Sequence, residues 1–191
     1  GYDLPAPLIG DINKDGKKEI FLLVPNRHLE FESATSSSLY VFGSDGKPFT
    51  RMPFPILLPK IDGGGVFASC LLANLDQRDT DEIVCTIPGN KIVVLNSTGD
   101  IISQWNSPFA RYHSFYQPYS SVGNFDEDAD LEIVVATISD IYRGNISVFN
   151  RDGLLVNGSP IYTRGMPLYP QAVGDINGDG KDEIVIPLFG E

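Results

Sequence analysis

Basic residues, histidine, cysteine and long apolar runs are all scarce in this chain, and each scarcity closes off a class of function. Fourteen Lys and Arg stand against 25 Asp and Glu, a formal net charge of −11, so no basic patch is there to meet a nucleic-acid backbone. No run approaches the roughly eighteen apolar residues of a membrane-crossing helix. Nor does any stretch repeat apolar residues at the helical period of about 3.6. Histidine occurs only as His28 and His113, and no Gly-x-Ser-x-Gly elbow is present. A nucleophile and base pair therefore has little to be built from, and a non-catalytic role is expected. The chain opens Gly1-Tyr2-Asp3-Leu4, with neither Met nor a signal-peptide pattern, as expected of a mature or excised chain.

What the chain does have is oxygen-rich loops. Asp175-Ile176-Asn177-Gly178-Asp179-Gly180-Lys181-Asp182-Glu183 places side-chain oxygens at positions one, three, five and nine, with Gly180 at position six where the backbone must turn sharply. Such a set, completed by the carbonyl of position seven, is what a hard divalent cation takes. An EF-hand loop needs a bidentate Glu at position twelve, and Ile186 stands there. The chain leaves the loop as Glu183-Ile184-Val185-Ile186, a β-branched run that reads as a strand.

The loop recurs at Asp11 to Glu19, Asn74 to Glu82 and Asn124 to Glu132. Starts at 11, 74, 124 and 175 lie 63, 50 and 51 residues apart, the period of a propeller blade rather than of a helical solenoid. In each copy a short strand enters the loop and a continuously apolar strand leaves it: Ile20 to Val24, Ile83 to Ile87, Ile133 to Ala136, Ile184 to Ile186. Continuous rather than alternating apolarity means that both faces of the sheet are covered. A third strand (Leu39 to Phe42, Ile92 to Leu95, Ile146 to Phe149) ends in a glycine turn at Gly46, Gly99 or Gly153. Fourth strands are expected around Lys47 to Thr50, Ile101 to Trp105 and Leu154 to Val156.

With these residues the chain resembles FG-GAP repeats, the calcium-loop blades of integrin-α-type β-propellers and of many secreted bacterial propellers. The resemblance implies an all-β fold: a β-propeller of four-stranded blades, with calcium loops between the first and second strands of each repeat. Residues 1–191 are then one propeller domain or part of one, with repeats starting near 7, 70, 120 and 171, the last incomplete. It implies Ca2+ as cofactor, an extracellular or cell-surface location, and adhesion or recognition of a protein or glycan ligand.

Three loops carry full ligand sets: Asp11, Asn13, Asp15 and Glu19 with the Lys17 carbonyl; Asn124, Asp126, Asp128 and Glu132 with the Asp130 carbonyl; Asp175, Asn177, Asp179 and Glu183 with the Lys181 carbonyl. Ala129 replaces the turn glycine in the third loop and touches only its turn geometry. In the second loop Arg78 stands at a ligand position, where its guanidinium could take the cation's place and pair with Asp76 and Glu82. Two other readings stay open. One is the propeller of a secreted polysaccharide lyase, since Asp179 to Ile184 is worded like the loops of rhamnogalacturonan-lyase-like propellers. The other is a structural subunit of a surface filament.

The connections hold the remaining signals. Trp105, Phe109, Tyr112, His113, Phe115, Tyr116 and Tyr119 crowd one link. Trp105, Tyr112 and Tyr116 are candidate ligand-binding aromatics, unless the cluster seals the groove between adjacent blades. A long excursion from Asn26 to Ser38 carries His28, Glu30 and Glu32. Cys85 aligns with Leu22, Val135 and Ile186, a core column, whereas Cys70 aligns with Pro7, Ser120 and Gln171. The two are therefore expected on opposite faces of their hairpin, as free thiols, leaving the redox compartment open. Asn96, Asn145 and Asn157 begin glycosylation sequons. The fourth repeat stops after its second strand. Its Ile184-Val185-Ile186 edge is expected to be completed within a larger propeller or by self-association.

Overall fold

The computed structural model describes residues 6–26, 36–59, 69–87, 91–107, 119–140 and 142–190. The described residues are all β. The first sheet is β1 (Leu8–Gly10), β2 (Glu19–Asn26), β3 (Ser36–Phe42) and β4 (Ile56–Leu57). The second is β5 (Ser69–Ala73), β6 (Glu82–Ile87), β7 (Lys91–Leu95) and β8 (Ile101–Asn106). The third is β9 (Tyr119–Gly123), β10 (Glu132–Asp140), β11 (Arg143–Phe149) and β12 (Ile161–Thr163), and the fourth is β13 (Ala172–Gly174) with β14 (Glu183–Val185). Each sheet is an antiparallel meander in chain order.

Side-chain alternation explains how the sheets stack. In β6 every residue is buried, but the two faces bury against different neighbours. Ile83, Cys85 and Ile87 join Phe21, Leu23 and Val41 of the first sheet. Val84, with Ile92 and Val94 of β7, joins Ile133 and Val135 of the third. The third sheet turns Val134 and Val148 to Val173, Ile184 and Ile186 of the fourth. A strand sandwiched in this way needs apolar residues on both faces, and each fully buried Val or Ile contributes about 1.5–3 kcal/mol. The first strands β1, β5, β9 and β13 approach one another in succession. Glycine permits that approach: a Cβ on Gly10 would meet Leu72 Cδ1 at 2.3 Å, and one on Gly123 would meet Val173 Cγ1 at 2.4 Å.

Three expectations need correction. The outer strands of the first and third sheets begin where expected, with Pro48 opposite Phe42 and Leu155 opposite Phe149. Pairing then breaks and resumes as β4 and β12, at Ile56 and Ile161. Proline has no N–H for a ladder and Gly158 has φ +87, so Pro48, Pro53, Pro55 and the Gly158-Ser159-Pro160 stretch push the strand outward. The second sheet lacks prolines there, and β8 runs unbroken with only a register shift near Val94.

The cysteines are also not free. Cys70 and Cys85 form a disulfide, with Cα atoms 4.1 Å apart. The loop sets the register so that Ala73 faces Glu82, and counting back puts Cys70 directly opposite Cys85. Residues directly opposite in an antiparallel pair share a face. The bridge spans 15 residues, so replacing it by Cys70→Ala with Cys85→Val is expected to cost about 3 kcal/mol. A lowered urea midpoint checks this, and an unchanged midpoint contradicts it. Finally, the sequon residue Asn145 is 0% exposed in the middle of β11, where its Oδ1 accepts from Thr137 Oγ1 at 2.7 Å. Glycosylation of the folded chain is blocked there, whereas Asn157 is exposed. The Asn26 to Ser38 excursion lies outside the described residues between 27 and 35, although its flanks pair as far as Asn26 and Ser36.

Candidate metal centre

Four loops join the first and second strands of successive sheets: loop 1 (11–19), loop 2 (74–82), loop 3 (124–132) and loop 4 (175–183). All close in one way. The position-nine glutamate turns Oε2 back to accept the N–H of position two: Glu19 from Ile12 at 3.2 Å, Glu82 from Leu75 at 2.9 Å, Glu132 from Phe125 at 2.8 Å and Glu183 from Ile176 at 2.8 Å. Neighbouring loops are also tied by backbone. Asp81 N–H donates to the Ile12 carbonyl at 3.1 Å, Leu131 N–H to that of Leu75 at 2.8 Å, and Asp182 N–H to that of Asn124 at 2.7 Å. Lys14 Nζ meets Asp81 Oδ1 at 2.7 Å, and Asp182 Oδ2 accepts from Asn124 N–H at 2.9 Å. The loops therefore form one continuous row.

Within the row the loops differ. In loops 1 and 4 the position-one carboxylate is taken up by backbone N–H groups: Asp11 by Asp15 and Gly16, Asp175 by Gly178, Asp179 and Gly180. Left-handed residues make this possible, Lys14 and Gly16 in loop 1 and Gly178 and Gly180 in loop 4. The Nδ2 groups of Asn13 and Asn177 donate to Asp15 and Asp179, and Asn177 also reaches Glu183 Oε1 at 2.7 Å. Lys17 and Lys181 N–H donate to Asp15 and Asp179, both at 2.9 Å.

Loop 3 contains no left-handed residue, and its acids converge instead. Asp126, Asp128 and Glu132 bring carboxylate oxygens within 4.8 Å of one another, which no other three acidic side chains do among the described residues. Asn124 gives Nδ2 to the Asp128 carbonyl at 3.1 Å, while its Oδ1 is buried without a hydrogen-bond partner. Asp130 N–H donates to Asp128 Oδ1 at 2.9 Å. An orphaned carbonyl-type oxygen beside three gathered carboxylates is a hard-oxygen donor set of the kind calcium takes.

Loop 2 is filled by protein cations. Arg78 Nε lies 3.2 Å from Asp76 Oδ2, and the same oxygen takes the Arg151 guanidinium from the turn after β11. The Asp76 side chain is only 7% exposed. Glu82 does not pair with Arg78 as expected: it is buried and closes on Leu75, whereas the Arg78 side chain is 76% exposed. Arg151 was not flagged by sequence, although the equivalent turn positions, Ser44 and Ser97, are small and neutral.

The electrostatics follow burial. Desolvation pushes the carboxyls of Glu19, Glu82 and Glu132 up, and the position-two N–H offsets this only in part. The Lys17 N–H and the Asn13 amide hold Asp15 low, and the Gly180 N–H foremost holds Asp175 low. A cleft of about 600 Å3 opens between loops 2 and 3 and the turn after β11, with Asp126, Asp128, Glu132 and Arg151 in its walls and Leu154 and Leu155 at its lip. Of the candidate ligand-binding aromatics, Tyr112 and Tyr116 lie outside the described residues. Trp105 is half-buried, tilted against Phe149 at 5.6 Å and packed under Gly153, and so fills the groove between the second and third sheets.

No protein-family model and no curated protein matches the chain. Solved structures do. A crystal structure of BBS1N in complex with ARL6DN, soaked with mercury, superposes with a TM-score of 0.50 at 12% identity, over 98% of this chain and 60% of that one. The lead-soaked counterpart gives 0.46 at 12% identity, over 87% and 59%. This chain thus spans about 60% of the length of the solved chain. The likeness is one of fold, a propeller-like all-β arrangement.

Proposed function

We propose that the chain is a calcium-stabilised β-propeller unit of the FG-GAP kind, a non-catalytic module that recognises protein or glycan partners outside the cell. Loop 3 carries the reading: three carboxylates and an unpartnered amide oxygen converge in a loop whose pattern recurs in every sheet. Asn124, Asp126, Asp128 and Glu132 would hold the ion there, and the matching residues of loops 1 and 4 would hold two more. Bound calcium supplies charge neutralisation. The protein's part is to fix loop length and to present oxygens, so the ion serves rigidity at the row of loops. The Cys70–Cys85 bridge suits an oxidising compartment. Protein recognition draws support from the fold likeness to a chain crystallised with a protein partner.

Calorimetric titration of the chain with calcium is expected to count three sites, because two guanidinium groups occupy Asp76. Arg78→Asp combined with Arg151→Ser is expected to add a fourth. Four sites in the unaltered chain, or none, would overturn the assignment. A glycan array and a panel of cell-surface proteins would then identify the partner class, and cleavage of a pectic polysaccharide would overturn the non-catalytic reading.

A further inference from the structure

Asparagine is followed directly by glycine twice in this chain, at Asn157-Gly158 and Asn177-Gly178. Such a pair is chemically labile in water. Glycine has no Cβ to crowd its amide nitrogen and leaves the backbone free to turn, so that nitrogen can reach the side-chain carbonyl carbon of the asparagine before it. Both asparagines are exposed, and access of water does not tell them apart. Their hydrogen bonds do.

In loop 4 the reacting groups are all held. Gly178 N–H donates to Asp175 Oδ1 at 2.6 Å. Asn177 Nδ2 donates to Glu183 Oε1 at 2.7 Å and to Asp179 Oδ2 at 3.1 Å, and Asn177 Oδ1 accepts from Asp179 N–H at 2.8 Å. Asn157 stands instead in the exposed turn that interrupts the outer strand of the third sheet. One backbone bond closes that turn, from Ser159 N–H to the Val156 carbonyl at 3.1 Å, and its third residue, Gly158, takes the positive φ that suits glycine. Among the described residues no hydrogen bond engages the Asn157 side chain or the Gly158 N–H.

We propose that Asn157 is a site of spontaneous deamidation and that the hydrogen bonds of loop 4 shield Asn177 from the same reaction. The Gly158 nitrogen, its proton given up to hydroxide, bonds to Asn157 Cγ. The Cγ–Nδ2 bond breaks, and Nδ2 leaves as ammonia with a proton from water. One water then opens the five-membered imide at either carbonyl. Opening at Cγ gives isoaspartate's counterpart, ordinary aspartate, when the nitrogen stays on the main-chain carbonyl; opening at the main-chain carbonyl leaves the nitrogen on Cγ and gives isoaspartate. The balance is one water taken up and one ammonia released, with no oxidant, reductant or enzyme. Asn157 lines the cleft that also holds Asp126, Asp128 and Glu132, so the product puts a carboxylate where that wall was neutral. Isoaspartate also lengthens the backbone inside a turn whose Ser159 Oγ accepts the Val148 N–H at 2.8 Å.

Peptide mapping by mass spectrometry, on the folded chain made without glycosylation and held in warm, mildly alkaline buffer, tests this. Asn157 is expected to convert to aspartate and isoaspartate, and Asn177 to convert at least about tenfold more slowly, because hydrogen bonds to charged groups must open first. In urea the two are expected to convert at similar rates. Asp175→Ala frees the Gly178 N–H and is expected to speed Asn177 in the folded chain while leaving Asn157 unchanged. Equal rates in the folded chain, a faster Asn177, an Asn157 that converts in urea but not when folded, or an Asn177 indifferent to Asp175→Ala would each overturn the proposal. The order of the two sites is expected to be the same in calcium and in chelator below the melting temperature of either sample, so the result stands apart from the metal reading.

Discussion

Excess chelator is expected to lower the Tm of this chain by about 15–30 °C. The expectation rests on three sites, each adding about 2.7 kcal/mol when calcium stands near a hundred times its dissociation constant, or about 8 kcal/mol together. In a chain of this length 1 kcal/mol corresponds to about 2–4 °C, and the whole stability of an ordinary domain is about 5–15 kcal/mol. The loops explain the dependence. Asp126, Asp128 and Glu132 crowd within 4.8 Å, and burial already disfavours ionisation of Glu19 and Glu132. Without a cation that repulsion and desolvation stand uncompensated. Thermal unfolding followed with and without chelator checks this, with calcium add-back restoring the Tm. Magnesium should restore less, since it demands a tighter octahedron than such a loop offers. A Tm indifferent to chelator overturns the metal reading.

Asp76→Ala is expected to cost about 2–4 kcal/mol, and the same amount with or without calcium. Removing one partner of a buried ion pair costs about 3–5 kcal/mol because the other charge stays behind. Here two guanidinium groups would face each other, but Arg78 is largely solvated, which brings the cost to the low end of that range and somewhat below it. Asp126→Ala should behave oppositely, destabilising the chain in calcium and little in chelator. Urea unfolding of the two variants in both conditions separates the loops. An Asp76→Ala effect that vanishes in chelator would mean that loop 2 holds an ion after all.

Much of this was legible in the sequence because it depends on local chemistry. Nine-residue loops ending in glutamate, and strands such as Ile133 to Ala136 with apolar residues on both faces, announce both the turns and the coverage of both faces. What escaped depends on register or on neighbouring sheets. Cys70 looked polar by its aligned column, yet the loop's length places it opposite Cys85. Arg151 lies 75 residues from Asp76, and nothing local ties them. The outer strands of the first and third sheets were misplaced because they are held by few ladder bonds and interrupted by proline, whereas that of the second lies where expected. Asn145 reads as a sequon at a strand end, and only the pairing of β11 with β10 and β12 shows it to be interior.

The backbone ties between loops also bear on how such a chain accumulates insertions. Position eight of loops 2, 3 and 4 donates to the preceding loop over 2.7–3.1 Å, so one residue gained or lost inside a loop would detach it from its neighbour. The side chain at position eight varies, as Asp81, Leu131 and Asp182 do, because the tie common to all three is made by the amide; Asp81 and Asp182 add side-chain ties of their own. Duplicated repeats should therefore drift in wording inside the loops but in length only outside them. The chain follows this rule: its four loops are all nine residues long, while the stretches between their starts run to 63, 50 and 51.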